Sequence, residues 1–146
     1  QPLGPGVSLV LDPEGQTEAE AIAAPGALMG LRLRAIVPGR WAGLHIVLGP
    51  LDLTDRHVIG VVLRTRAPAV TTLRIALRSG REGGFDDCDF PKRLVAFGED
   101  STHVDLLQTA RHPDTLPLQA PWRELVLFLP PAGCELVIQD LRLFVV

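Results

Sequence analysis

Apolar and polar residues alternate with a period of two along most of the chain, and Gly or Pro breaks each run. That pattern predicts strands joined by turns. In "LRLRAIV", Leu31, Leu33, Ala35 and Val37 share one face and Arg32 and Arg34 the other. After the turn "PGRW", "GLHIVLG" aligns Leu44, Ile46 and Leu48. "VIGVVLRTRAP" aligns Ile59, Val61, Leu63 and Thr65, and "TTLRIALRSG" aligns Leu73, Ile75 and Leu77 opposite Arg74 and Arg78. "VSLVLD" precedes these runs, and "RLVAFG", "THVDLL", "WRELVLFLPP" and "CELVIQDLRLFVV" follow them. Eight or nine strands is the count of a two-sheet antiparallel sandwich.

Helix is scarce. The best candidate is "TEAEAIAAPG", where Thr17 and Glu20 have capping-box spacing and Pro25-Gly26 ends the run, so one or two helical turns are expected there. In the last run the apolar parity changes: Leu136 and Ile138 share one phase, Leu141, Leu143 and Val145 the other. The switch falls at Gln139-Asp140, and a β-bulge is the simplest device that makes it.

Composition narrows the functions. The chain has 146 residues, enough to bury a core as one domain, and no linker or repeat divides it, so a single domain over 1–146 is expected. A formal net charge of -3 argues against a general nucleic-acid binder. No apolar run approaches the ~18 residues that span a bilayer, so no membrane partner is expected. No basic stretch followed by an apolar one stands at the start, so no uncleaved signal peptide is expected. The compartment stays open, with a secreted or cell-envelope setting ahead of the cytoplasm. Among the 14 basic side chains only Lys92 is a lysine, as a GC-rich genome would produce. Cys88 and Cys134 fit no zinc or redox spacing and leave two readings, one disulfide or buried thiols.

The order of strands from "LRLRAIV" onward resembles the galactose-binding-like jelly roll used by many carbohydrate-binding modules. The residues that carry the likeness are "IGVVLRTRA" as an inner strand and the closing "LVIQDLRLFVV", similar to that family's hydrophobic-x-Asp-x-hydrophobic terminal strand. The resemblance implies an all-β fold, an antiparallel β-sandwich of jelly-roll type. It also implies a structural calcium beside the N-terminal and terminal strands, which here falls to Asp140 and Asp12. Asp140 has a second reading, as a residue that bonds backbone amides at the bulge.

Catalytic signatures are missing: no G-x-S-x-G elbow, no H-E-x-x-H and no phosphate-binding G-x-x-x-x-G-K-[ST]. "EGGFDDCDFPK" crowds Glu82, Asp86, Asp87 and Asp89 around Cys88. Three aspartates would raise the thiol's pKa and dull it as a nucleophile, so no enzyme is expected there. The stretch reads as a long loop between the runs at 71–80 and 93–98, pinned by Phe85 and Phe90, with Asp87 on the rim of a binding site.

Sugar binding needs flat rings that stack on pyranose faces and planar polar groups for hydroxyls. Trp41 and Trp122 are the candidate stackers, each with a second reading as a core plug or strand cap. Arg32, Arg34, Arg64, Arg66, Arg74 and Arg78 all lie opposite apolar positions. If their strands share a sheet, they make a basic face suited to an acidic glycan, against the alternative of a solvated face paired with acids. The expected function is a non-catalytic carbohydrate-binding or accessory module working beside an enzyme domain in polysaccharide metabolism. Its expected ligand contacts are Trp41, Arg32, Arg34, Arg64, Arg74, Arg78 and Asp87. The alternatives are a structural or protein-interaction sandwich without sugar binding and, third, a small hydrolase.

Overall fold

A computed structural model describes residues 1–146. Its twelve strands are β1 (Pro2–Gly4), β2 (Val7–Leu11), β3 (Gln16–Ala21), β4 (Met29–Val37), β5 (Ala42–Gly49), β6 (Val58–Arg66), β7 (Thr71–Arg81), β8 (Gly84–Asp89), β9 (Leu94–Ala96), β10 (Ser101–Gln108), β11 (Arg123–Leu129) and β12 (Gly133–Val145). They form two antiparallel sheets. One has seven strands in the order β1-β2-β5-β11-β7-β8, with β9 also paired to β7; the other has five in the order β10-β6-β12-β4-β3. The sandwich expected from the alternation is present, and each of the nine expected runs lies on a strand.

The inner faces follow the predicted parity. Ile59, Val61, Leu63 and Thr65 of β6 and Leu73, Ile75 and Leu77 of β7 are at most 1% exposed. With Leu44 of β5 and Leu125 and Leu127 of β11, the apolar residues among them belong to one cluster of 24 buried residues. The bulge is where the parity change placed it. Ile138 pairs with Thr65 and Asp140 with Arg64, so Gln139 is the extra residue. Leu136 and Ile138 before it, and Leu141, Leu143 and Val145 after it, therefore all reach the core.

Two expectations fail. "TEAEA" is not helical: it is the edge strand β3, and the only helix is a 3-10 turn at Thr109–Arg111. Pairing with β4 overrides helix propensity here, because Glu18 and Glu20 meet Arg34 and Arg32 across the ladder while Ala19 packs on the core. The acidic stretch is not a long loop either. β7 and β8 form a hairpin joined at Glu82-Gly83, and Gly83 has a φ of 76°, a conformation that glycine adopts without Cβ strain. Aspartate is poor in strands, but each one here meets an arginine of β7: Asp86 meets Arg81, Asp87 meets Arg78 and Asp89 meets Arg74. Phe90 is buried as expected, whereas Phe85 stands on the outer face at 44% exposure.

Candidate functional site

The outer face of the seven-stranded sheet is built in four cross-strand rows. The first joins Val10, Gly43, Phe128 and Arg74, and the second Ser8, His45, Val126, Ala76 and Asp89. The third joins Glu124, Arg78 and Asp87. The fourth carries Trp122 and Phe85 on either side of Gly80. From Arg74 to Gly80 the strand rises about 20 Å, enough for several sugar rings. Val126 and Ala76 are fully covered although they point away from the core, so the larger neighbours form a continuous surface over them.

Two arginine–aromatic stacks lie at either end of this face. The Arg78 guanidinium sits 3.8 Å from the Phe85 ring centre, and that of Arg74 sits 3.9 Å from Phe128. Arg78 also donates to both carboxylate oxygens of Asp87, at 2.8 and 2.9 Å. This fork-to-fork geometry commits one edge of the Arg78 guanidinium to Asp87. Between the stacks, His45 Nδ1 and Glu124 Oε2 are 2.8 Å apart. Trp122 rests on Gly80, where an added Cβ would lie 2.1 Å from the indole Nε1.

At the Phe128 end the face runs into a groove of about 410 Å³. Trp41, Phe128, Pro130 and Pro131 supply its apolar surface, and Arg40, Arg74, Arg93 and Thr72 its polar groups. Trp41 is held there by Asp12. The Asp12 carboxylate accepts backbone N–H groups from Arg40 at 2.8 Å and Glu14 at 3.0 Å, and its own N–H donates to the Trp41 carbonyl. The two carboxylate bonds hold the Asp12 pKa below the ordinary value. At the opposite end, the fully buried Arg123 fixes the strand that carries Trp122. It donates to the carbonyls of Leu51 and Pro117 and to the Ser79 hydroxyl.

No protein-family model matches the sequence, and no curated protein matches it. Solved structures do. A structure described as "CBM4 structure and function" superposes with a TM-score of 0.64 at 11% identity, covering 97% of this chain and 96% of that one. The family 11 carbohydrate-binding module from Clostridium thermocellum, in complex with a beta-1,3-1,4-mixed-linked tetrasaccharide, gives 0.61 at 9% identity, with 95% and 88% covered. The CBM22-1-GH10 modules of a Clostridium thermocellum endo-1,4-beta-D-xylanase, complexed with xylohexaose, give 0.58 at 10% identity, covering 95% of this chain and 26% of that one. The fold is the jelly roll that these structures share.

Within that jelly roll the expected site residues separate. Arg74, Arg78 and Asp87 lie on the outer face of the seven-stranded sheet, and Trp41 lines the groove that continues it. Arg32, Arg34, Arg64 and Arg66 lie on β4 and β6 of the other sheet, so the six arginines form no common face. On that second face they are matched by acids. Arg32 bonds Glu20 at 2.6 Å and Glu135 at 2.7 Å, and Arg64 and Arg66 approach Asp100 at 3.6 and 3.4 Å. Arg34 pairs in register with Glu18.

The calcium expectation does not fit the residues present. Asp140 pairs with Arg142 at 2.8 Å, and Asp12 is occupied by backbone amides. Asp12 packs on Gly39, just past the end of β4, while Asp140 lies beyond Met29, the first residue of that strand. The nine residues of β4, about 28 Å, separate them. No group of three or more His, Cys, Asp and Glu side chains comes together. Both cysteines are free: Cys88 is buried under the seven-stranded sheet, and burial pushes the half-buried Cys134 up to about 11. His103 and Asp105 form no dyad, since Asp105 accepts the N–H groups of Lys92 and Leu106.

Sequence reasoning missed Phe128, Arg93, His45 and Glu124. For Phe128 the signal was available: Leu125, Leu127 and Leu129 fix the inner parity of "ELVLFL", which turns the phenyl ring outward. The contribution of Arg93 had none, because only the pairing of β9 with β7 brings it to the groove.

Proposed function

We propose that this chain is a non-catalytic carbohydrate-binding module and that its ligand lies along the outer face of the seven-stranded sheet. The observation that carries this reading is the run of exposed rings and planar polar groups from the Trp41 groove to Trp122, laid on a covered floor. Rings supply stacking surface for the CH faces of pyranoses, and Arg, Asp, Glu and His side chains supply hydroxyl partners. The likeness in fold supports the reading. The partner is a carbohydrate, with an acidic glycan as its finer form, and the module works beside an enzyme domain acting on the same polysaccharide.

A glycan array followed by affinity electrophoresis tests this. Retention on at least one polysaccharide is expected, lost in Trp41→Ala with no change in melting temperature. Retention that survives Trp41→Ala and Phe128→Ala would move the site elsewhere. Turnover of a glycoside or ester by the purified chain would overturn the non-catalytic reading.

A further inference from the structure

The glycan face is not chemically uniform along its length. At the Trp41 end three guanidinium groups, those of Arg40, Arg74 and Arg93, line the groove, and no carboxylate lines it. The acid partners of Arg40 and Arg74 lie outside it and hold them loosely. Arg40 reaches Asp12 and Glu14 at 3.5 and 3.4 Å, and the nearest acid oxygen to Arg74 Nε, on Asp89, is 3.7 Å away. That is beyond hydrogen-bond reach. Arg74 Nε is buried and has no hydrogen-bond partner. Arg93 is exposed, with no acid within 4.0 Å.

The Trp122 end is the reverse. Both donors that Arg78 directs along its fork go to Asp87, and the polar surface beside the pair includes the Glu124 carboxylate. A polymer charged on every residue would press its anions against Asp87 and Glu124. A chain neutral at this end meets no such repulsion.

We infer that the ligand is a glycan whose bound stretch is neutral at the Trp122 end and carries one anionic group, a carboxylate or sulfate ester, in the Trp41 groove, where Arg74 and Arg93 hold it. This rests on the carbohydrate-binding reading and narrows its ligand. Either oxyanion gives Arg74 a hydrogen-bonded acid and Arg93 an acid partner, which each lacks. The guanidinium fork suits both.

The test is an array of neutral oligosaccharides, each present unmodified, with a single glucuronate, with the same glucuronate reduced to the alcohol, and with a single sulfate, beside polygalacturonate. The expected result is at least about tenfold tighter binding of one singly charged form than of its neutral parent. Reduction of the carboxyl returns the glucuronate form to the neutral value, and the sulfate arm tells which oxyanion is preferred. Arg93→Gln lowers binding of the charged form more than that of its neutral parent and so narrows the gap, whereas Trp41→Ala lowers both alike. Added salt narrows the gap. Equal binding of charged and neutral forms, or polygalacturonate as the tightest ligand, would overturn the inference while the carbohydrate reading stands. Absence of binding to every glycan would overturn both.

Discussion

The two outer faces of this sandwich use the same residue type in opposite ways. On the five-stranded sheet arginines stand among carboxylates: Arg32 is held between Glu20 and Glu135, and Arg64 and Arg66 share Asp100. These are exposed pairs that solvate a face and contribute little to stability. On the seven-stranded sheet Arg74 and Arg78 lie on phenyl rings, and the face continues into a groove containing Trp41. Arginine count therefore does not mark a binding surface. What distinguishes the second face is the phenyl ring beneath each guanidinium.

The sharpest way to break this contrast is through ligand retention. Trp41→Ala should weaken glycan binding at least about tenfold, roughly 1.4 kcal/mol. The double change Arg32→Ala with Arg64→Ala should leave it untouched in the same affinity gel.

The glycines give a matched pair. Gly80 seats Trp122 on one face and Gly60 seats the tip of the Phe144 ring on the other, with an added Cβ 2.1 Å or 2.0 Å from the nearest ring atom. Gly80→Ala and Gly60→Ala should each cost about 1–3 kcal/mol of stability by overpacking in denaturant titration. Only the first should red-shift tryptophan emission and weaken glycan retention.

A contrast of similar size separates the ion pairs. Arg78→Gln leaves the part-buried Asp87 carboxylate without its bidentate partner and should cost about 1–3 kcal/mol. Arg32→Gln, in an exposed pair, should leave the melting curve unchanged.

The smallest effect appears on acidification. The Asp12 carboxyl lies below its ordinary value of 3.8 because the N–H groups of Arg40 and Glu14 bond its ionised form. Its contribution to stability is therefore complete above that value and is lost as pH falls through the lowered folded-state pKa. In a Trp122→Phe background, Trp41 emission should change only below about pH 3.8, and Asp12→Asn should remove that change.

Much of the fold was legible because side-chain parity is a local property. The runs at 58–66 and 71–81 state their inner faces outright, and even the Gln139 bulge showed in the parity of one strand. The failures came where cross-strand partners decide. The run at 16–21 reads as a helix until Glu18 and Glu20 meet Arg34 and Arg32, and 84–89 reads as a loop until its aspartates meet the arginines of β7. The site was less legible for the same reason. Alternation shows that an arginine points outward but not which sheet carries it, so Arg32 and Arg74 look alike in sequence and lie on opposite sides of the molecule. Asp12 appeared as a calcium ligand because no sequence pattern shows the backbone amides of Arg40 and Glu14 that bond it.

The most direct measurement is an amide chemical-shift map of the labelled chain titrated with the glycan that gives the strongest array signal. Perturbations are expected to run along β5, β11, β7 and β8, from Trp41 and Arg74 to Gly80 and Phe85, with the Trp122 indole N–H among them. A map centred on Arg32, Arg64, Glu135 and Arg142 of the five-stranded sheet would contradict the account.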